Sequence, residues 1–542
     1  MALLFDLFGF LEVVVRFASL IGQAFAVGGV VFILLLVRPA GDPALLDRAL
    51  RLVRISAAAL IVIVGIDLWM KLVMLEAVNG VTFLDGLGAG FARGLLVRFA
   101  ASVLLLLFAR APFGIGRAIG ATVAATALIL GAAATSHAVS RPDGRDLLIV
   151  ANALHQAAAC IWIGGIPFLL MSLKGATAAS ARYYGRGASL LSMLGVAGLV
   201  LAGTFMAYAY IGSWSGFYGH AYGLMLGTKL CFFAGLLGLG YFNYRTVEKM
   251  RADPSTPTSR LIARAQAEIG IGITIFAVAA SLTSIAPAID QPDEHVPLSA
   301  IVERLTPEVP RLTSPDHDDL AIPMLQAQLD ASRPADDTGD RPKAYVCGAG
   351  DLPPINAADI AWSEYNHHWA GLFVLVIGLL CLLERTGKAP WARWWPLVFI
   401  GLAAFLFVRS DPEAWPLGQI GFWESMRSAD VFQHRLVVLL VIAFGIFETL
   451  VRTGRIKNPR AAYIFPIMIA IGGGLLLLHS HPLSDVKASF LIEMTHSPMA
   501  VLGVAAAWSR FLELRMKSPT AAWIWPICFV LIGLVLLDYR EA

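Results

Sequence analysis

Histidine is the residue of this chain best suited to chemistry: there are eleven, and they fall into groups. Asn366-His367-His368-Trp369, Phe432-Gln433-His434-Arg435, His479-Ser480-His481 and Glu493-Met494-Thr495-His496-Ser497-Pro498-Met499 each lie at or near the end of a long apolar run. Imidazole ligates copper, zinc, iron and nickel, and thioether or thiolate neighbours shift the preference toward Cu(I). A spacing of three puts Glu493, His496 and Met499 along one helix face, where a carboxylate, an imidazole and a thioether can converge. His479-Ser480-His481 can supply two ligands from one turn. In the first half, His137 and His155 flank one short connection between apolar runs, which makes them candidate neighbours. Cys160 lies about 140° around the helix from His155 and reads as packing. A single histidine such as His220 or His317 is ordinarily an amphipathic interface residue.

The elements that must position these side chains are membrane helices. A bilayer core needs about 20 apolar residues per helix. Runs of that size recur near 15–37, 55–77, 91–109, 118–137, 148–171, 188–211, 223–243 and 265–287. They resume near 366–383, 394–409, 429–449, 461–480, 488–508 and 521–538. The connections alternate in charge. One set carries Arg38, Arg48, Arg51 and Arg54; Arg110 and Arg117; Lys174, Arg182 and Arg186; and Arg245 to Arg264. It continues with Arg385, Lys388 and Arg393; Arg452 to Arg460; and Arg510 to Lys517. The other set is acidic or mixed. Under the positive-inside rule the basic set is cytoplasmic and both termini are extracytoplasmic. Every histidine then falls at or near the extracytoplasmic side. A plain interface preference would populate both sides, and ionisable groups in a membrane protein are costly and usually functional.

Composition agrees. Of 542 residues, 58% are hydrophobic and 15% charged, which is the membrane class rather than a soluble one. A net charge of +3 argues against nucleic acid as a partner. The five cysteines form no CxxC pair, so neither a disulfide framework nor a zinc knuckle is implied. The chain carries no Walker A sequence (Gly223 to Lys229 reads GLMLGTK) and no DKTG-type motif, so transport would not run on its own ATP hydrolysis. The expected fold is all-α, with about fourteen transmembrane helices in two bundles of eight and six. Residues 1–290 form the first bundle and residues 366–542 the histidine-rich second. The Pro- and Asp-rich stretch 291–365 is an extracytoplasmic linker or cap.

The first half resembles the bacterial copper resistance protein D (CopD) family. The likeness is carried by Ser136-His137-Ala138, by His155 with Trp162-Ile163-Gly164-Gly165, by Tyr222-Gly223 and Lys229, and by Asn243-Tyr244-Arg245. It continues through Arg260 to Glu268 and ends with Ala286-Pro287, covering most of residues 15–290. The second half resembles the extension of longer family members. The resemblance implies a multi-pass protein of the bacterial inner membrane, associated with copper uptake or tolerance beside a periplasmic copper-binding partner of the CopC type. It makes His137 and His155 the first candidate copper ligands. It also leads one to expect a histidine in the first helix, where Ser19 stands.

Three functions follow as expectations. In the first, the histidines, with Met499 and Glu493, hold copper at the periplasmic face for transport, tolerance, storage or delivery, and no catalytic residue is implied. Neutral imidazole is required, so binding should weaken below about pH 6. In the second, His434 and His496 ligate a b-type haem between packed helices. In the third, the chain is a structural or sensory membrane subunit and the histidines are incidental.

Overall fold

The computed structural model describes Leu4 and residues 7–334, 341–346, 354–478 and 486–541. Among these, fourteen helices are long and apolar enough to cross a membrane: α1 Phe8–Ala40, α2 Pro43–Asn79, α3 Gly90–Phe108, α4 Ile115–Ala133, α5 Arg145–Leu173, α6 Ala178–Ile211, α7 Ala221–Ala252, α8 Ser259–Leu282, α9 Ala357–Arg385, α10 Pro390–Arg409, α11 Ala429–Arg452, α12 Pro459–Leu477, α13 Phe490–Met516 and α14 Pro519–Leu537. No strand forms among the described residues. The number of spans matches the sequence reading. Several helices are longer than their apolar runs, because a helix keeps its internal hydrogen bonds after hydropathy falls at the membrane surface. Helix α2 is the clearest case: it runs 37 residues, from the Asp42 side chain capping Leu45 N at 2.9 Å to Gly80 in the left-handed region.

The chain divides into two compact units, one of Leu11–Phe217 with Met225–Asp293 and one of Met1–Phe10, Tyr218–Leu224 and Glu294–Ala542. The first unit holds most of α1 to α8. Its core rests on alanine and glycine as much as on large side chains. A Cβ at Gly164 would collide with the Ala24 carbonyl oxygen, and one at Gly28 with the Cys160 carbonyl oxygen. Helices α1 and α5 therefore touch backbone to backbone, the close approach small residues permit in membranes. Gly164 sits at that crossing, and Gly165 follows it.

In the second unit α9 packs along α14 in the same manner. A Cβ at Gly533 would lie 2.6 Å from Leu375 N, and one at Gly378 2.6 Å from Val530 N. Trp395, Phe399, Phe444, Phe465, Trp525 and Phe529 fill the centre with edge-to-face and tilted rings 5.5–6.2 Å apart. One end of this unit is laced by ion pairs. Arg452 bonds Glu384 at 2.5 Å and Glu448 at 2.8 Å, while Arg385 and Arg510 both bond Glu513 at 2.7 Å. The described histidines His367, His368, His434 and His496 lie toward the other end. Short helices Leu298–Arg304 and Ala321–Ala331 interrupt the connecting segment of this unit.

Candidate functional site

In the first unit His155 stands on α5 against α6. Its ring lies against the Leu199 backbone, and the buried Nδ1 has no hydrogen-bond partner. With the proton on Nε2, toward the Leu199 backbone, Nδ1 offers a lone pair. This is the arrangement of a metal-ligating histidine, whose second nitrogen is held by a carbonyl or carboxylate that fixes the tautomer. Gly203 of α6 faces the ring: a Cβ there would stand 3.4 Å from Nδ1 and 3.3 Å from Cε1. The Lys229 ammonium of α7 lies within Coulombic reach.

His137 follows α4 in a short 3-10 turn, His137–Ser140. Its Nε2 donates to the Thr283 carbonyl at 2.9 Å, so it too holds its Nδ1 lone pair unprotonated. Burial is the main cause that lowers its pKa below the ordinary histidine value; nearby Arg16 and Arg141 add to this, against Asp290 and the Thr283 carbonyl. The neutral, ligating form thus persists to lower pH than for a free imidazole. That displaces the expected loss of binding below about pH 6 downward for this residue.

Sequence reading missed the polar network beside His155. Gln156 Nε2 bonds Asn152 at 2.5 Å, and Gln23 Nε2 of α1 bonds Gln156 Oε1 at 2.8 Å. Arg98 of α3 donates to Ser19 Oγ and, at 3.5 Å, to Gln23 Oε1. Ser19, at the position where the resemblance leads one to expect a histidine, is thus occupied as a hydrogen-bond acceptor for a buried arginine. Lys71 pairs with Asp67 at 3.2 Å and Glu12 at 3.0 Å, a compensating ion-pair set. Cys160 is buried, in keeping with a packing role. Spacing of four between Asn152 and Gln156 was the available signal.

In the second unit, four of the six histidines grouped from the sequence are described; His479 and His481 lie outside the described residues. Their hydrogen bonds separate them. His368 uses both nitrogens: Arg311 N–H donates to Nδ1 at 2.7 Å, and Nε2 donates to the Tyr539 carbonyl at 2.9 Å. His367 donates Nδ1–H to the Ser363 carbonyl at 2.8 Å and stacks on Tyr539 with centroids 3.7 Å apart. His434 Nδ1 meets Asp411 Oδ1 at 2.7 Å, a carboxylate–histidine pair that directs Nε2 outward. The second Asp411 oxygen is buried without a partner. His434 and His367 lie within Coulombic reach of each other. His496 donates Nδ1–H to Ile492 O, one turn back, at 2.9 Å.

Glu493 is buried and accepts from Ser497 Oγ at 2.8 Å, and Met499 is buried on the same helix. Glu413, on the loop after α10, is held up at about 7, mainly by burial and then by Asp411 beside it. Burial likewise pushes the Tyr539 hydroxyl well above its usual value, so it stays a donor to Glu541 Oε2 at 2.5 Å. Among the described residues, no three His, Cys, Asp or Glu side chains converge where they could hold a metal ion. The other histidines have local structural partners: His220 Nδ1 accepts from Tyr222 N at 3.2 Å, and His317 Nε2 donates to Pro412 O at 2.9 Å.

Comparison with known families gives one match: residues 177–282 fit the family model described as CopD, copper resistance protein D. The match spans the whole of α6, α7 and α8, so it contains Gly203, Lys229, Asn243 and Glu268, while His137, His155 and Gly164 precede it. No curated protein and no solved structure matches. Fourteen helices long and apolar enough to cross a membrane give the chain a multi-pass membrane character, and its residues 177–282 are similar to the copper resistance protein D family.

Proposed function

We propose that this protein binds copper through histidines at its periplasmic face and moves it into or across the bacterial inner membrane without ATP hydrolysis. The observation that supports this is the Nδ1 of His155: buried, partnerless, and faced by a residue with no side chain. A structural histidine in a membrane interior ordinarily satisfies both nitrogens, because a buried unpaired polar atom costs about 1–3 kcal/mol. A soft cation would satisfy Nδ1. His137, with the same tautomer, is the second donor of this station.

Residues 1–290 act as the CopD-like membrane domain in this reading. Residues 366–542 form a second histidine-bearing membrane domain, with 291–365 as the linker or cap between them. In the second domain, His367 is the better donor, since it spends Nδ1–H on the Ser363 carbonyl and leaves Nε2, whereas the Asp411 carboxylate against His434 favours the imidazolium form that metal must displace; Glu493, His496 and Met499 line the same end. His368 is a structural clamp. A soluble copper-binding partner of the CopC type would deliver the cargo.

The test is metal analysis of purified protein after copper loading, beside copper uptake into proteoliposomes. His155→Ala and His137→Ala should each remove copper and slow uptake at least ten-fold. Unchanged copper content in the double variant overturns the proposal, and a Soret band would turn the reading to haem.

A further inference from the structure

The first unit contains a cavity of about 390 Å³ between α5, α6, α7 and α8, walled mainly by apolar side chains such as Trp162, Leu169 and Val196. Two polar groups at its wall stand out, Asn243 of α7 and Glu268 of α8. Both are more than nine-tenths buried. Asn243 Nδ2 donates to Glu268 Oε1 at 3.0 Å, while Asn243 Oδ1 is buried with no partner. We propose that this Asn243–Glu268 pair is a proton-binding site on an ion path through the unit, with Glu268 as the group that takes up and releases the proton.

The hydrogen-bond inventory carries the argument. An ionised carboxylate is an acceptor only, so it can do nothing for the neighbouring carboxamide oxygen. One added proton turns Glu268 into a donor as well, and supplies the hydrogen that Asn243 Oδ1 lacks. An acid and a primary amide can then pair through two bonds, N–H to carboxyl oxygen and O–H to amide oxygen. Both polar groups are satisfied in an apolar wall where a bare carboxylate is costly.

Arg264 is the cation within Coulombic reach of Glu268 and favours its ionised form, but it makes no direct ion pair with the carboxylate. Arg264, one turn before Glu268 on α8, spends its guanidinium on Thr246 Oγ1 at 2.9 Å and Phe242 O at 3.1 Å. Arg245 on α7 is turned to the Tyr241 hydroxyl at 2.9 Å. The cavity walls contributed by α1, α5 and α6 contain no titratable side chain; α7 adds the hydroxyls of Tyr241 and Tyr244. Glu268 sits roughly 13 Å along α8 from Ser259, so a proton there is within the span rather than at its surface.

A carrier that moves a cation against its own gradient without ATP needs a second ion gradient, and a site that exchanges a proton would couple to one. That the proton exchanges against copper rests on the copper reading above; that Glu268 binds a proton does not. The deciding experiment is labelling of the full-length protein in detergent with dicyclohexylcarbodiimide, which attacks protonated carboxyls in apolar sites, read by peptide mass spectrometry. Glu268 should form an adduct at about pH 6 that falls several-fold by about pH 9, with none in Glu268→Gln. An unmodified Glu268 while Glu493 of the same sample reacts overturns the proposal, as does labelling that stays constant with pH. The unmodified protein suffices for these outcomes, even if the variant fails to fold. In proteoliposomes containing a pH dye, copper entry should drive proton release that Glu268→Gln abolishes while copper binding at His155 is retained.

Discussion

Gly203 of α6 lies directly before the unpaired Nδ1 of His155, close enough that a Cβ would stand 3.4 Å from the nitrogen. The same Cβ would stand 3.3 Å from Cε1, tighter than most packing contacts, so a side chain there crowds the ring beside its unpaired nitrogen. Gly203→Val should therefore lower copper affinity at least ten-fold, with a modest fall in melting temperature. Isothermal titration with Cu(I) under a competing chelator reads the first quantity and thermal unfolding the second. Wild-type affinity in Gly203→Val would remove Nδ1 as the ligand.

His368 and His155 should separate stability from metal. The His368 ring bridges Arg311 N–H and the Tyr539 carbonyl, so His368→Ala leaves two buried backbone groups unpaired. The expected cost is about 1–3 kcal/mol, seen as a lower unfolding midpoint at unchanged copper stoichiometry. His155→Ala should do the reverse. Equal copper loss in both variants would count against the division drawn between them.

The α1–α5 crossing should tolerate no side chain. Gly164 has the Ala24 carbonyl where its Cβ would be, so Gly164→Ala must push the two backbones apart. Overpacking of this kind costs about 1–3 kcal/mol, and more when backbone is the obstacle. Because Gln23 of α1 holds Gln156, the neighbour of His155, at 2.8 Å, the same variant should weaken copper binding as well. Unfolding and copper titration of Gly164→Ala beside Gly116→Ala, a control at which an added Cβ meets nothing within 4 Å, would check this.

Glu413 gives the second unit a defined pH response. Its pKa is raised to about 7 in the folded protein against an ordinary value of 4.5, chiefly by burial. A raised acid contributes stability that is complete below about pH 4.5 and is lost as the pH climbs through about 7. Glu413→Gln should flatten that decline, a difference of about 1–2 kcal/mol between pH 5 and pH 8 after allowance for partial solvent screening. The measurement is the unfolding midpoint against pH for both proteins, and parallel curves would refute the assignment.

Copper binding should also survive mild acid. His137 is held neutral by burial, so its lone pair remains at pH values where a free imidazole is largely protonated. The midpoint for loss of copper should fall below about 6.5 in the wild type. Replacing Asp290, the nearby carboxylate that opposes this effect, with Asn should move the midpoint lower still.

The fourteen spans were legible in the sequence because hydropathy over a run of about 20 residues is a local property, and the bilayer demands it of every crossing. Small residues told as much about contact: Gly164 could be read as a site of close helix approach before its partner, Ala24, was known. The grouping of His367, His368 and His434 at helix ends was likewise a matter of counting along the chain. What each imidazole can do was not legible. The free lone pair of His155 depends on Leu199, the clamp on His368 on Arg311 and Tyr539, and the outward Nε2 of His434 on Asp411. The Asn243–Glu268 pair and the Gln23–Gln156 bond join residues 25 and 133 positions apart. Hydrogen bonding is short-ranged and directional, so its partners are chosen by packing; only the tertiary structure could decide which nitrogen, and which carboxyl, is left with something to bind.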